Sequence, residues 1–175
     1  MRDSGITGQR DDVITLQNGL GIVLGNVPII ALALAVALPF YKGRVPHAER
    51  MLAWLLLLGL GLPMIWAAYY HLLQPDMAAR LIGWAPSPFQ REVGLADLAM
   101  GVTACVASTQ PLPFKAAIVW TLVIALGGDA VGHILEILRT DNLAPGNAGS
   151  ILWWDILAPL YGLILLFAAS RAPAR

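Results

Sequence analysis

The sequence predicts an all-α fold: a polytopic membrane helical bundle with about five transmembrane helices. Hydrophobic residues make up 58% of the 175 positions and charged residues only 13%, whereas about 25% of the residues in a soluble domain are charged. The apolar residues also form long runs, and a hydrocarbon layer of about 30 Å needs roughly 20 helical residues to cross it. Composition and run length therefore both predict a membrane protein.

Five apolar runs are separated by polar or proline-rich segments. They lie at 19–41, 51–73, 93–109, 114–138 and 151–169. Asn26 and Pro28 interrupt the first run, which predicts a kink or a late start. The third run is the shortest and least hydrophobic, so the alternative architecture has four spans and a re-entrant segment.

The runs predict a single bundle domain over 18–171. A polar tail precedes it at 1–17, and a short tail follows at 172–175. The segment 77–84 lies in a stretch too polar to span and predicts a short interfacial helix. Trp66, Trp84, Trp120 and Trp153 lie near predicted span ends, as interfacial aromatic anchors do.

Charge and cysteine content exclude several classes of protein. The net charge is zero, so the basic surface that binds nucleic acid is not expected. Cys105 is the single cysteine, which rules out an intrachain disulfide or a cysteine metal cluster. Basic residues are densest between the first two runs, at Lys42, Arg44 and Arg50, which favours an N-terminus outside the cytoplasm.

The fourth run carries three ionisable residues on one face. Asp129, His133 and Glu136 follow one another at i, i+4 and i+7, so they lie within about 60° of each other around the helix axis. A charge at the middle of a span costs about 2.5–3.5 kcal/mol, and such residues face the bundle interior or water. Gly128 and Gly132 border the same stripe and would let another helix approach closely.

Other ionisable residues lie at the ends of neighbouring runs. His71 ends the second run, Glu92 and Asp97 lie at the start of the third, and Asp155 is near the start of the fifth. Because successive spans alternate in direction, all of these positions fall in the same half of the bilayer, and the other half contains almost no ionisable residues. The sequence therefore predicts a polar pocket that opens to one face, lined by His71, Glu92, Asp97, Asp129, His133, Glu136 and Asp155.

Such a pocket is compatible with several functions. The first is binding of a small or lipid-soluble ligand, with membrane lipids as further partners. The second is an enzyme in which His133 is the acid or base and Asp129 orients it. A divalent metal bound by Asp129, His133 and Glu136 is a variant of this, although no Glu-x-x-His spacing of a di-iron bundle is present. The third is a structural or accessory subunit, and oligomerisation stays open.

Two loops on the pocket side, at 84–92 and 141–150, are candidates for a lid or for ordinary connections. Together with the fourth run they carry the segments SPFQREVG, GGDAVGH and APGNAG. Over roughly 50–170 the chain resembles a family of small uncharacterised bacterial multi-pass membrane proteins. The resemblance implies a bacterial inner-membrane location, and it marks motif positions without roles at Ser87, Gln90, Glu92, Asp129, His133, Asn147 and Asp155.

Overall fold

The structure, a computed structural model, describes residues 25–41 and 47–172. The predicted tail at 1–17, Lys42 and Arg44 of the basic loop, and Arg175 lie outside the described residues. The regular structure of the described part is entirely helical, with no strand in it. The predicted all-α fold is therefore confirmed.

The helices correspond closely to the predicted runs. In chain order they are α1 (Val27–Ala37), α2 (Ala48–Leu73), α3 (Pro75–Ile82), α4 (Phe89–Ala107), α5 (Leu112–Thr140), α6 (Pro145–Ala148) and α7 (Ser150–Ser170). A short 3₁₀ turn over Leu38–Phe40 extends α1. A turn at Asn26 separates Gly25 from α1, at the interruption that the sequence predicts.

Three helical stretches are long and apolar enough to cross a membrane. They are Ala48–Leu73, Leu112–Thr140 and Pro145–Ser170, the last of which joins α6 to α7. The apolar stretch Val27–Phe40 is shorter, and α4 carries Arg91, Glu92 and Asp97. The chain thus has the helices of a membrane protein, while the predicted count of about five spans is not confirmed.

A π-helical segment over Leu55–Gly61 interrupts α2, and a proline follows it. Pro63 has no N–H, so the carbonyl of Gly59, four residues earlier, lacks its α-helical donor. The indole Nε1–H of Trp154 in α7 donates to that carbonyl oxygen at 2.8 Å inside the bundle. A side chain of the neighbouring helix thus compensates the break, as prolines in membrane helices require.

Glycines set the distance between α2 and α4. A Cβ atom added to Gly101 would lie 2.9 Å from the carbonyl oxygen of Gly61 and 2.9 Å from the backbone nitrogen of Ile65. A Cβ added to Gly61 would lie 2.6 Å from Sγ of Cys105. The backbones of the two helices therefore approach as closely as glycine permits, and Cys105 is a packing residue.

The other long helices complete the bundle. α7 packs along α5 and against the first turns of α2, and α1 packs against the π segment and α7. The core between them is a cluster of fully buried leucines and aliphatic neighbours that includes Leu52, Leu55, Leu56, Leu60 and Leu122. At the bundle end formed by the starts of α2 and α5, the buried Lys115 ammonium donates to Oε1 of Glu49 at 3.1 Å and to the carbonyl oxygen of Gln110.

Replacing Gly101 with alanine is expected to destabilise the protein by about 1–3 kcal/mol, because the added methyl overpacks a backbone contact. Thermal unfolding in a non-ionic detergent measures the effect. Gly127→Ala is the matched control: a Cβ there meets nothing within 4 Å, so the gain in helix propensity should leave stability unchanged or raise it by up to about 1 kcal/mol. Equal unfolding midpoints for Gly101→Ala and the wild type would contradict the close α2–α4 contact.

Candidate functional site

A cavity of about 560 Å³ lies at the end of the bundle where α2 and α5 end and α4 and α7 begin. α3, the loop that follows it and Gly146 of α6 contribute to the wall. Most of the lining side chains are apolar, among them Pro63, Met64, Ala67, Leu126 and Ile151. A mostly apolar cavity with a few convergent polar groups is the usual form of a small-molecule site.

Five of the seven predicted pocket residues line this cavity: His71, Asp97, Asp129, His133 and Asp155. Four helices supply them, so the alternating direction of the helices does bring distant parts of the sequence together. Glu92 and Glu136 are not on the cavity wall. Glu92 is exposed, and Oε1 of Glu136 accepts a hydrogen bond from Thr140 Oγ1 at 3.1 Å on its own helix.

The fully buried side chain of Asn147 in α6 organises the polar end of the cavity. Its Nδ2 donates to the carbonyl oxygens of His133 at 3.3 Å and Asn142 at 2.9 Å. Its Oδ1 lies 2.8 Å from Nδ1 of His133 and accepts from Nε1 of Trp84 at 3.2 Å. All four hydrogen-bonding positions of the amide are therefore used.

This network also determines which nitrogen of His133 carries the proton. The indole N–H of Trp84 can only donate, so the atom of Asn147 that faces it must be the oxygen. The same oxygen faces Nδ1 of His133, which must therefore be the protonated nitrogen. In the neutral ring, Nε2 is then the acceptor, and it points towards Asp155.

Asp155 lies opposite this nitrogen and is 3% exposed. Its Oδ2 is 3.6 Å from Nε2 of His133, which is longer than a hydrogen bond, and no described group is within hydrogen-bonding distance of that oxygen. The carboxyl groups of Asp129 and Asp97 are near enough to Asp155 for like charges on them to repel each other. Nδ1 of His71 is a second buried polar atom without a hydrogen-bond partner among the described residues.

Both loops that were candidates for a lid are joined to α3: one continues directly from it, and the other packs against its last turn. Gly83 ends α3 with a φ of 77°, and Nδ2 of Asn142 donates to the carbonyl oxygen of Ile82 at 2.9 Å. A Cβ on Gly146 would lie 2.7 Å from the carbonyl oxygen of Leu81. The loops therefore form a fixed part of the cavity wall.

The first turn of α4 is also bound to α3 and to the loop between the two helices. The amide N–H of Phe89 donates to Oγ of Ser87 at 3.3 Å, so Ser87 contributes to the start of α4. Nε2 of Gln90, which lines the cavity, donates to the carbonyl oxygen of Pro75 at 2.9 Å. This bond joins the first turn of α4 to the first residue of α3.

The predicted role of Gly128 and Gly132 was wrong. A Cβ added to Gly128 would meet nothing within 4 Å, and at Gly132 the only neighbour is the ring of Trp84 at 4.0 Å. Both residues line the cavity. The missing side chains therefore leave room for the cavity instead of bringing two helices together.

The candidate metal set of Asp129, His133 and Glu136 is not gathered in one place, because Glu136 is turned towards Thr140. Within residues 25–41 and 47–172, no group of three or more His, Cys, Asp or Glu side chains is arranged to hold a metal ion. The orienting partner of His133 also differs from the prediction, since Asn147 and not Asp129 binds its Nδ1. Asp129 lines the cavity beside it.

Sequence reasoning missed the central role of Asn147 and Trp84. Asn147 was identified only as a turn-forming and motif residue, and Trp84 only as an interfacial anchor. The sequence offers one signal for this role: Asn147 follows Pro145 and Gly146 in the loop after the helix that carries His133. That signal does not reveal the hydrogen bonds, because the residues they join are as far as 63 positions apart.

The structure is an all-helical fold with three helical stretches apolar enough to cross a membrane, in which acidic and imidazole side chains line a cavity at one end of the bundle. The chain belongs to a family of unknown function (DUF6790), which matches residues 25–175. No curated protein and no solved structure matches the chain. The match supports the resemblance at the level of the family, while the motif segments and a bacterial source stay predictions.

Replacing Asn147 with leucine is expected to destabilise the protein by about 3 kcal/mol or more, because it leaves several buried polar groups without partners at about 1–3 kcal/mol each. Trp84→Phe removes one donor to the same amide and should cost about 1 kcal/mol. Thermal unfolding measures both. Trp153→Phe is the control, since Trp153 is 57% exposed, and a similar loss in all three variants would argue against the network.

Proposed function

We propose that the protein binds a small lipid-soluble molecule in the cavity at the end of α2 and α5. The observation that carries this proposal is Asp155, which lines an apolar cavity and whose buried Oδ2 has no hydrogen-bond partner among the described residues. A buried polar group without a partner is costly. A ligand with a polar head and an apolar body would satisfy both the oxygen and the wall.

The size and position of the cavity support the same function. A volume of about 560 Å³ lies within the range of sites for small molecules, roughly 300–1,000 Å³. The wall includes Phe89, Val93 and Trp66, and each belongs to a helix of the membrane bundle. A molecule already dissolved in the lipid could therefore reach the cavity without crossing water.

We further propose that all five predicted runs cross the membrane and that the membrane is the bacterial inner membrane. α4 packs along the second half of α2, and α1 packs beside the π segment and α7, which supports placing both among the candidate spans. The bacterial location rests on the sequence resemblance.

Gly128→Leu is expected to abolish ligand binding without unfolding the protein. A side chain at this position has free space and replaces a poor helix former, but it fills the cavity. The test is to purify the wild type and the variant in a mild non-ionic detergent, extract them with organic solvent and compare the extracts by mass spectrometry.

Gly127→Leu is the matched control, because Gly127 is the adjacent residue, has equal space and does not line the cavity. A molecule present in stoichiometric amount in the wild type and in Gly127→Leu, and absent from Gly128→Leu, supports binding. The same molecule at the same level in all three proteins would place it outside the cavity.

One observation favours a second candidate function, acid–base catalysis on a lipid-soluble substrate. Asn147 holds the ring of His133 so that Nε2 is directed towards Asp155, and a histidine that lines a cavity in a fixed orientation can accept and return a proton. Asp97 and Asp129 line the same space.

The variant His133→Gln distinguishes ligand binding from catalysis, because the two functions predict different compounds in lipid extracts of the cells. An enzyme should release a chemically altered product in wild-type cells and not in cells with the variant, because the group that transfers the proton has been lost. Mass spectrometry of total lipid extracts from the two strains makes the comparison. If the variant retains the fold and both extracts contain the same compounds, the catalytic candidate is excluded and binding alone stays.

A further inference from the structure

The charge of the cavity points to the class of its ligand. Three carboxyl groups line it, those of Asp97, Asp129 and Asp155, together with the imidazoles of His71 and His133. The basic residues of the described part are Arg50, Arg80, Arg91, Lys115, Arg139 and Arg171, and none of them lines the cavity. Inside the cavity, the three acidic groups therefore outnumber the two imidazoles, which are the only cavity-lining groups of the described residues that can carry a positive charge.

The second observation is independent of this charge count. Asp155 lines the cavity, is 3% exposed, and has a buried Oδ2 without a hydrogen-bond partner among the described residues. His133 offers one nitrogen towards it, at 3.6 Å, and the other nitrogen is held by Asn147. The imidazoles of His71 and His133 could balance two of the three carboxylates at most, so at least one carboxylate is left for an external hydrogen-bond donor that carries positive charge.

The aromatic residues fit the same class of ligand. Trp66, Tyr70, Trp84 and Trp154 all line the cavity, and the faces of aromatic rings attract cations by about 0.5–2 kcal/mol, most strongly when water is excluded. A cavity lined by both carboxyl groups and aromatic rings suits a protonated amine. The apolar wall that continues from them suits a hydrocarbon chain.

We propose that the cavity selects an amphipathic amine, in which a cationic nitrogen binds between Asp155 and Asp129 and the hydrocarbon part lies along the apolar wall. This inference rests on the ligand-binding function proposed above. It adds that a neutral or anionic amphiphile of the same shape binds much more weakly, since neither can supply a charge-assisted bond to the acidic groups.

The test uses three probes with the same hydrocarbon chain: decylamine, 1-decanol and decanoic acid. Each is titrated into the full-length protein in a non-ionic detergent near neutral pH, and the unfolding midpoint is followed, because a ligand that binds only the folded state raises it. Gly128→Leu is measured in the same detergent, so that effects of a probe on the micelle are subtracted. The expected result is a rise with decylamine alone, which is lost in Gly128→Leu.

Asp155→Asn keeps the shape of the side chain and removes its charge. It should weaken the apparent affinity for decylamine on the order of tenfold to hundredfold, as expected for the loss of a hydrogen bond to a charged group, with little change for 1-decanol. Asp129→Asn serves as a second variant if Asp155→Asn does not accumulate. The comparison of the three probes on the wild type needs neither variant.

The outcomes separate this inference from the function on which it rests. Equal stabilisation by decylamine and 1-decanol, lost in Gly128→Leu, would overturn the selectivity for amines and leave ligand binding intact. A co-purified neutral or acidic amphiphile would do the same. If no probe raises the midpoint and no molecule co-purifies with the wild type, both the inference and the proposed function fail.

Discussion

The polar end of the bundle depends on one constraint: a polar group that is buried among apolar helices must find its partner within the protein. The amide of Asn147 meets this constraint for three separate parts of the chain, since it binds His133 on α5, the loop carbonyl of Asn142 and the indole of Trp84. It also orients the imidazole. The cavity keeps its shape because this amide joins the loops to α5.

Asp155 does not meet this constraint, because it is a buried polar group that lacks a partner for one oxygen. The proposed ligand site depends on this exception. One of its oxygens has no hydrogen-bond donor among the described residues, while every hydrogen-bonding position of Asn147, on the other side of the His133 ring, is used. Sites that bind or convert ligands commonly keep such locally unfavourable arrangements, and the rest of the fold compensates for them. The close α2–α4 packing and the leucine-rich core provide that compensation here.

The sequence predicts the all-α fold and the position of the long helices because hydropathy depends on residue type alone. It also places His71, Asp97, Asp129, His133 and Asp155 in one half of the bundle, since helix direction alternates. It does not predict that Glu136 accepts a hydrogen bond from Thr140 or that no atom lies within 4 Å of a Cβ at Gly128. Both features depend on which neighbouring helix packs against each face of α5. The hydrogen bonds of Asn147 join residues far apart in sequence, so no local pattern indicates them.

The π-helical segment of α2 has a consequence for the residues that follow it. A π turn accommodates about one residue more than the α-helix around it, and one residue corresponds to about 100° of rotation. Tyr70 and His71, which line the cavity, therefore owe their facing direction to Leu55–Gly61. A hydropathy profile does not register this rotation. Two chains with identical apolar runs, one regular and one with the π turn, would therefore present different side chains to the same interior.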